Sequence, residues 1–383
     1  MYRLLFLLPS FQLGGTNSAF NNLLSVIDKN HFSIDVYAFD DKGPNRATVA
    51  NYVNILGGSE KTPSGINYRS RMKDIVHSLK KIIMKLHIDI SPIVFRHVAK
   101  RLSLKNYDCV IAFQEGQVTR FLTFFHDVYK IAWIHCDYKE YIASNHVKPE
   151  KDLYSKIDKI VCVSRYTQKS FLEVLPDFKS KTEYLYNALD VDAIIRKSKE
   201  GIDPAPLIAR DCFKIVSIGR FSPVKRFDLI PKIAAQLKEN GLLFTWVVIG
   251  DGPIEYKSII AKSIKEYSVE DCVVCVGAKS NPYPLIAVAD VLAITSLSEA
   301  CPMVLSEAKV LGVPVLSTDY GSSREFIEDG EDGIICQIEE MPEALMRLMK
   351  DRSLYESIKN NLSAFKYPNG EIINKLENVI LSS

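Results

Sequence analysis

The 383-residue sequence has no apolar run near the ~20 residues that a membrane-spanning helix needs. Its apolar start is short and ends at Pro9, so we expect no signal peptide and a protein kept in the cytoplasm. A disordered chain is excluded, because hydrophobic residues make up 47% of the sequence and charged residues 25%. A chain of this length predicts two domains, each with its own core.

The sequence also lacks the cysteine pattern of a disulfide framework. Most of its eight cysteines lie in apolar runs such as 108–112 and 160–163, where a free cysteine behaves as a small buried hydrophobe. Cys272 and Cys275 have CxxC spacing, but on a strand they would point to opposite faces, so two core thiols are expected rather than a metal or redox site. No metal-ligand spacing is found among the central histidines His77, His87 and His97.

Strong charge of either sign is absent overall, since the net charge is +2. The first 192 residues hold 26 Lys and Arg against 20 Asp and Glu, and the remainder holds 22 against 26. Nucleic-acid binding would need a more basic domain than this. The positive first half instead suggests an anionic partner, such as a membrane surface or a phosphorylated acceptor, or simply a solvated basic face.

The most basic segment is 69–105, where only Asp74 and Asp89 oppose ten cations. An apolar stripe through residues 75–86 accompanies these charges. A basic amphipathic helix of this kind can lie on an anionic membrane, whereas the alternative is a surface helix whose stripe faces its own core. The cations are Arg69, Arg71, Lys73, Lys80, Lys81, Lys85, Arg96, Lys100, Arg101 and Lys105.

Short apolar runs alternate with amphipathic segments along the whole chain. The runs are rich in Val and Ile with little polar alternation, which is typical of parallel strands buried on both faces. They form two series, so we predict an α/β protein with two Rossmann-like, doubly wound parallel-sheet domains that face each other across a cleft. Strands are predicted at 4–8, 33–39, 109–113, 131–135, 159–163 and 182–186, and then at 213–218, 244–249, 272–276, 291–295, 313–317 and 333–336.

The predicted boundary is the polar, Pro- and Gly-containing stretch between Asp190 and Asp211. We therefore assign residues 1–195 to the first domain and 196–365 to the second. The last segment, 366–383, is predicted to form a helix that packs back on the first domain. A dehydrogenase would carry G-x-G-x-x-G after the first strand, and the Gly14-Gly15 loop does not supply it.

Cationic side chains follow the first strand of the second series. The run Ser217-Ile-Gly-Arg-Phe-Ser-Pro-Val-Lys-Arg places Arg220 and Lys225 in the loop after Gly219, with a helix expected to begin near Arg226. Cations at the carboxyl end of a strand, beside a helix N-terminus, attract diphosphates. A second strand-to-helix turn, 249–253, contains Gly-Asp-Gly-Pro, and we interpret it as a structural turn rather than a ligand contact.

Two carboxylates lie in the next strand-to-helix segment. Glu299 follows a buried strand, and Glu307 lies on the following helix, with seven residues between the two. The backbone N–H groups of Met303 and Val304 open that helix. This arrangement suits a nucleotide sugar, because carboxylates accept from sugar or ribose hydroxyls and a helix start meets phosphate. For each glutamate the plainer alternative is helix capping or a solvated face.

The order of three motifs resembles that in the retaining glycosyltransferases of family 4, which have the GT-B fold. The motifs are Gly-Arg-x4-Lys, Gly-Asp-Gly-Pro and Glu-x7-Glu. The resemblance extends over nearly the whole chain, through the Gly14-Gly15 loop, Trp133-Ile-His-Cys-Asp, Cys162-Val-Ser and Tyr186-Asn-Ala-Leu-Asp. One departure is Ala-Cys-Pro-Met after Glu299, where the family more often has Gly and an aromatic residue. That departure bears on the identity of the donor sugar.

The resemblance implies a role for each matching residue. The first domain would bind a glycan or lipid-linked acceptor and the second a nucleotide sugar, a UDP-sugar by default. Arg220 and Lys225 would neutralise the leaving diphosphate in place of a metal ion, and His135 would lie beneath the donor sugar. Transfer would retain the anomeric configuration, by front-face attack. The implied donor-binding residues are Gly15, Gly219, Arg220, Lys225, Glu299 (sugar hydroxyls), Cys301, Met303, Val304 and Glu307 (ribose), and the catalytic set is His135, Glu299, Arg220 and Lys225.

Three alternatives stay open at this point. Nucleotide-sugar epimerases and inverting transferases share the two-domain fold, although they would not need the Glu-x7-Glu segment. A non-catalytic, sugar-nucleotide-binding partner of another transferase is the third, although intact Arg220, Lys225, Glu299 and Glu307 argue against it. Glu115 and Asp137, which follow predicted strands of the first domain, could meet the acceptor.

Overall fold

Two parallel sheets organise the protein, whose computed structural model describes residues 1–56, 91–201 and 211–381. The first sheet has seven strands in the order β3-β2-β1-β4-β5-β6-β7, all parallel. These are β1 (Tyr2–Ser10), β2 (Phe32–Asp40), β3 (Asn54–Leu56), β4 (Cys109–Ala112), β5 (Tyr129–Ile134), β6 (Lys159–Cys162) and β7 (Thr182–Tyr184).

The second sheet has six strands in the order β10-β9-β8-β11-β12-β13, and it is also entirely parallel. Its strands are β8 (Phe213–Ile218), β9 (Phe244–Ile249), β10 (Val273–Cys275), β11 (Val291–Ile294), β12 (Val315–Thr318) and β13 (Gly333–Cys336). Strand β9 is buried along its whole length, as expected for a strand covered by helices on both faces. The two sheets thus share one strand order, that of the Rossmann fold.

Helices connect the strands and cover both faces of each sheet. Those from the first half of the chain are α1 (Gly15–Val26), α2 (Arg46–Ala50), α3 (Ser91–Ser103), α4 (Gln117–Leu122), α5 (Tyr138–Asn145), α6 (Lys151–Ser155), α7 (Arg165–Val174) and α8 (Val191–Lys197). The second half has α9 (Ile230–Glu239), α10 (Ile254–Glu266), α11 (Tyr283–Ala287), α12 (Met303–Val310), α13 (Ser323–Phe326), α14 (Met341–Lys350), α15 (Arg352–Ser363) and α16 (Asn369–Leu381).

The last helix, α16, packs against the first sheet although it follows the second one in sequence. Its buried face, which includes Leu376 and Ile380, joins the core around Phe6 and Phe20. Asn369 fixes its start to the first half of the chain, since its side chain accepts from the N–H of Leu189 at 3.0 Å.

All twelve predicted strands are present, and among the residues that the structure describes the sequence pattern missed one more, β3, a three-residue edge strand. The helix expected near Arg226 starts as a 3₁₀ turn at Phe227–Leu229 and continues as α9 from Ile230, where Pro231 suits the first turn. One expectation is wrong in detail. Cys275 is exposed, so only Cys272 of that pair is a core thiol.

Much of the basic 69–105 segment, residues 69–90, lies outside the described residues. Its last part forms α3, on which Ala99 and Leu102 are buried while Ile93 and Val94 are exposed. Within the residues that the structure describes, no helix is both long and apolar enough to cross a membrane.

Candidate active site

The predicted donor-site residues of the second domain lie where its sheet reverses its strand order. In the second sheet this point is between β8 and β11, which are hydrogen-bonded neighbours. Arg220 and Lys225 are in the loop after β8, and Glu299 is in the loop after β11. Ligands of doubly wound sheets bind in this crevice, outside the carboxyl ends of the strands.

Two glycines hold the loop after β8 in place. A Cβ on Gly250 would collide with the carbonyl oxygen of Gly219, and one on Gly252 with that of Phe221. The backbone bonds between the two segments confirm this close approach, since the N–H of Phe221 donates to the carbonyl of Asp251 at 2.9 Å. The Gly-Asp-Gly turn is therefore a support beneath the cationic loop.

Lys225 and Glu299 form an ion pair across the crevice. The Lys225 Nζ contacts Glu299 Oε1, and the Ser296 hydroxyl donates to the same oxygen at 2.6 Å. The lysine backbone is fixed to the same loop, because the Thr295 hydroxyl donates to its carbonyl at 2.6 Å. The two side chains are 23% and 14% exposed. Glu299 Oε2 makes no hydrogen bond within the described part of the chain, so it is free to accept from a ligand.

Arg220 is exposed and, among the described residues, has no hydrogen bond or ion pair. Its charge differs in this respect from that of Lys225, which Glu299 already balances. The stem of Lys225 lies against Gly219, where an added Cβ would come within 3.1 Å of the lysine Cε. Gly219 therefore makes room for the lysine side chain rather than for a ligand in this conformation.

Helix α12 begins at Met303 with Pro302 before it, and no side chain caps its first N–H groups. No acidic residue lies in its first turn, so the positive end of the helix dipole is uncompensated there. Met303 also packs against the first-domain core, together with Ala300 and Cys301. This helix start thus lies at the boundary between the two domains.

Glu307 is 8% exposed and accepts from the hydroxyl of Tyr283 at 3.3 Å. Burial raises the pKa of its carboxyl to about 7, and the Tyr283 hydrogen bond opposes this only in part. Tyr283 therefore covers the carboxylate that the sequence assigns to the ribose. A ligand hydroxyl would have to replace the tyrosine or share the oxygen with it.

His135 follows β5 in the first domain, and its ring lies 4.8 Å from that of Phe113, centroid to centroid. Its backbone N–H donates to the carboxylate of Glu115 at 2.9 Å. The Nε2 atom is buried and has no hydrogen-bond partner in the described part of the protein, and burial lowers the pKa of the ring to about 3. The imidazole is therefore neutral at ordinary pH and has a free nitrogen for a ligand.

Gly15 opens α1 at the switch point of the first sheet. An added Cβ there would meet no atom within 4 Å, so the glycine is not required by packing. Cys301, in contrast, is engaged: its thiol bonds to Asn187 of the first domain, and burial raises its pKa to about 12. In this conformation Cys301 contributes to the contact between the domains rather than to an open donor pocket.

The sequence patterns gave no role to Asn187 and Glu325, which link the two domains. Asn187 lies in the Tyr186-Asn-Ala-Leu-Asp motif, but its contact, like those of Glu325, is with residues far away in the chain. Asp137, which by its position could meet the acceptor, caps α5 and accepts from the N–H of Lys139 and Glu140. Within residues 1–56, 91–201 and 211–381, no three His, Cys, Asp or Glu side chains are grouped as a metal site requires.

Known proteins indicate the family to which the second domain is similar. Residues 198–364 match the family described as "Glycosyl transferases group 1". The second domain is therefore similar to this family of glycosyltransferases. This match covers β8 to β13 and therefore both loops that carry Arg220, Lys225 and Glu299.

Curated relatives support this assignment. The chain is 30% identical over 212 residues to N-acetylgalactosamine-N,N'-diacetylbacillosaminyl-diphospho-undecaprenol 4-alpha-N-acetylgalactosaminyltransferase of Campylobacter jejuni, covering 54% of this chain and 55% of that protein. It is 26% identical over 178 residues to N-acetyl-alpha-D-glucosaminyl L-malate synthase of Bacillus anthracis, covering 45% and 46%. The chain thus spans about half the length of the curated relatives it matches.

Solved structures extend the likeness to the whole chain. Alr3699/HepE of Anabaena, solved in complex with UDP and glucose, matches with a TM-score of 0.79 at 18% identity, over 100% of both chains. WaaG, a glycosyltransferase involved in lipopolysaccharide biosynthesis, matches with a TM-score of 0.65 at 16% identity, over 99% of this chain and 100% of that one. At these identities the match shows the fold, and the fold is GT-B, as the sequence predicted.

Proposed function

We propose that the protein is a retaining, metal-independent glycosyltransferase that moves a sugar from a UDP-sugar to a lipid-linked or glycan acceptor in surface polysaccharide synthesis. The observation that carries the proposal is the convergence of Arg220, Lys225 and Glu299 at the switch point of the second sheet. The uncapped start of α12 lies in the same loop-and-helix segment as Glu299. Cations, a carboxylate with a free oxygen and a helix N-terminus together match a sugar diphosphate.

In the proposed reaction an acceptor hydroxyl oxygen bonds to the anomeric carbon as the bond from that carbon to the phosphate oxygen breaks. Attack comes from the face that the leaving group vacates, and a phosphate oxygen takes the hydroxyl proton. Arg220 and Lys225 then stabilise the charge that develops on the diphosphate, which is the role a divalent metal has in other transferases. The nucleotide sugar is a co-substrate, and no further cofactor is proposed.

Glu299 and His135 would hold the donor sugar. Lys225 and Ser296 fix Glu299 through Oε1, which leaves Oε2 to accept from a sugar hydroxyl. The neutral imidazole of His135 can hydrogen-bond a hydroxyl through Nε2 without adding charge. With its pKa near 3 the ring is a positioning group for the sugar and not an acid that donates a proton at neutral pH.

Donor and acceptor classes are supported by the relatives. The Campylobacter relative is named as a transferase acting on a diphospho-undecaprenol-linked sugar, and the Anabaena structure contains UDP and glucose. Surface polysaccharide is suggested by a putative colanic acid biosynthesis glycosyltransferase of Escherichia coli, 29% identical over 153 residues. For the present chain, both the UDP-sugar and the lipid-linked acceptor are part of the proposal.

The proposal is tested with Glu299→Ala, measured as sugar transfer and as donor hydrolysis. We expect a loss of at least 100-fold in turnover, with unchanged thermal unfolding, because the carboxylate binds the reacting sugar. Glu339→Ala is the matched control, since that glutamate is exposed on the same domain. Normal turnover by a folded Glu299→Ala variant would remove Glu299 from the site. UDP binding without any turnover in the parent protein would favour a non-catalytic partner subunit.

Peripheral membrane contact through the basic segment is also proposed. Helix α3 exposes Ile93 and Val94 beside Arg96, Lys100 and Arg101, a pattern that suits an anionic bilayer surface. Co-sedimentation with vesicles containing phosphatidylglycerol tests this contact. We expect binding that weakens with salt and with Arg96→Glu plus Lys100→Glu, whereas equal binding to neutral vesicles would contradict it.

A further inference from the structure

A carboxylate of the second domain caps a helix of the first. Glu325 lies on α13 after β12, and its two oxygens accept from the first two N–H groups of α7, those of Arg165 at 2.8 Å and Tyr166 at 2.6 Å. The third N–H is capped from within the helix, because the Ser164 hydroxyl accepts from Thr167. The N–H of Ser164 donates to the Thr167 hydroxyl at 2.9 Å, so all four free donors of α7 are satisfied, two of them across the domain boundary.

Shape reinforces this contact on both sides. A Cβ on Gly321 would collide with the ring of Tyr166, so the missing side chain makes a slot into which the tyrosine fits. Tyr186 of the first domain donates its hydroxyl to Glu325 at 3.0 Å and packs its ring 5.2 Å from that of Phe326. The contact thus combines a charge at a helix N-terminus with a ring in a slot.

Tyr166 carries the contact onward to the candidate site. Its hydroxyl donates to the Asp137 carboxylate, which caps α5. Asp137 lies two residues after His135, whose own N–H is fixed by Glu115. Hydrogen bonds therefore connect Glu325 through Tyr166 to Asp137, which is two residues along the backbone from His135.

We propose that Glu325 is a positioning residue: it clamps the two domains in the closed arrangement and thereby fixes the His135 strand end relative to the donor site. The catalytic consequence rests on the proposed transferase function, whereas the clamp itself is a statement about domain arrangement. Glu325 touches neither donor nor acceptor in this proposal. Its loss weakens closure and leaves the donor site of the second domain intact.

The test uses Glu325→Ala and Gly321→Ala, which perturb the contact from two independent sides. Gly321→Ala keeps the carboxylate but forces Tyr166 out of its slot. The matched control is Arg324→Gln, because Arg324 is the exposed neighbour on α13 and its side chain pairs with Asp319 of its own domain, at 2.8 Å. Small-angle X-ray scattering, UDP binding by calorimetry and steady-state kinetics are measured on the full chain.

We expect both variants to show a larger radius of gyration than the parent and the control. The kcat of transfer is expected to fall at least tenfold, while the Kd for UDP changes by less than threefold, because UDP needs only the second domain. Variants with the parent's scattering profile and the parent's kcat would overturn the clamp. If the parent protein binds no UDP and transfers no sugar, the proposed function fails, and the scattering comparison still decides the clamp.

Discussion

Glu307→Gln is the substitution whose effect on stability the structure predicts most directly. The carboxyl is 8% exposed, and burial raises its pKa to about 7 from an ordinary value of 4.5. Glutamine has nearly the same shape, and its amide oxygen can still accept from the Tyr283 hydroxyl. The variant therefore removes the ionisation and keeps the packing.

The direction in which stability changes with pH follows from the difference in proton binding between the folded and the unfolded chain. Below pH 4.5 the carboxyl is protonated in both the folded and the unfolded chain, so it adds no pH dependence. Between pH 4.5 and 7 only the folded chain holds the proton, so the free energy of unfolding falls as the pH rises. Above pH 7 the loss is complete, and at 1.36 kcal/mol for each pKa unit it amounts to about 3 kcal/mol.

Urea titrations at pH 5, 6, 7 and 8, followed by tryptophan fluorescence, measure this difference. Trp246 reports on the second domain, since it is fully buried in β9. We expect Glu307→Gln to gain stability over the parent progressively from pH 5 to pH 8, and the exposed Glu339→Gln to follow the parent throughout. Parallel pH profiles for Glu307→Gln and the parent would refute the inference that Glu307 is buried and carries a raised pKa.

Three further substitutions test how the site is supported. Ser217→Ala should lower the free energy of unfolding by about 1–3 kcal/mol in urea titrations. The Ser217 hydroxyl accepts from the Trp246 indole N–H (3.0 Å) and donates to the Ala293 carbonyl (2.6 Å) inside the second sheet. Unchanged stability would show that this link is dispensable. Gly250→Ala should weaken UDP binding at least tenfold by calorimetry, since its Cβ displaces Gly219 and the cationic loop after it, whereas parent-like affinity would mean that the loop adjusts freely. Gly15→Ala should keep or slightly raise the melting temperature, because the added Cβ meets no atom. Sugar transfer should fall at least tenfold if a substrate approaches the backbone at this residue, whereas full activity would place the substrates elsewhere.

Both sheets could be predicted from the sequence because their strands are buried on two faces and read as continuous Val- and Ile-rich runs. β3 was missed because its three residues, Asn54-Ile-Leu, include only two apolar side chains and none that is fully buried, so no apolar run marks it. The helical segment after Arg226 could be placed from sequence, but nothing in the local pattern shows that its first turn, Phe227–Leu229, is a 3₁₀ helix and that α9 begins at Ile230.

The candidate site shows the same division. Arg220, Lys225 and Glu299 could be grouped from sequence, since parallel strands of one sheet bring their carboxyl ends to one edge. Three contacts could not be predicted, because each joins residues that are distant in sequence. They are the ion pair that neutralises Lys225, the tyrosine that covers Glu307 and the Glu325 cap on α7. Such contacts depend on how loops and domains meet, which no local periodicity records.

The most direct test of the central claim is donor binding and slow hydrolysis by the parent protein and by Arg220→Gln with Lys225→Met, across UDP-, GDP- and ADP-sugars with a chelator present. The parent is expected to release one nucleotide, UDP, without added metal, and the double variant to lose at least 100-fold of that rate. No binding or release from any of these donors, or release that needs a divalent metal and ignores both substitutions, would contradict the account.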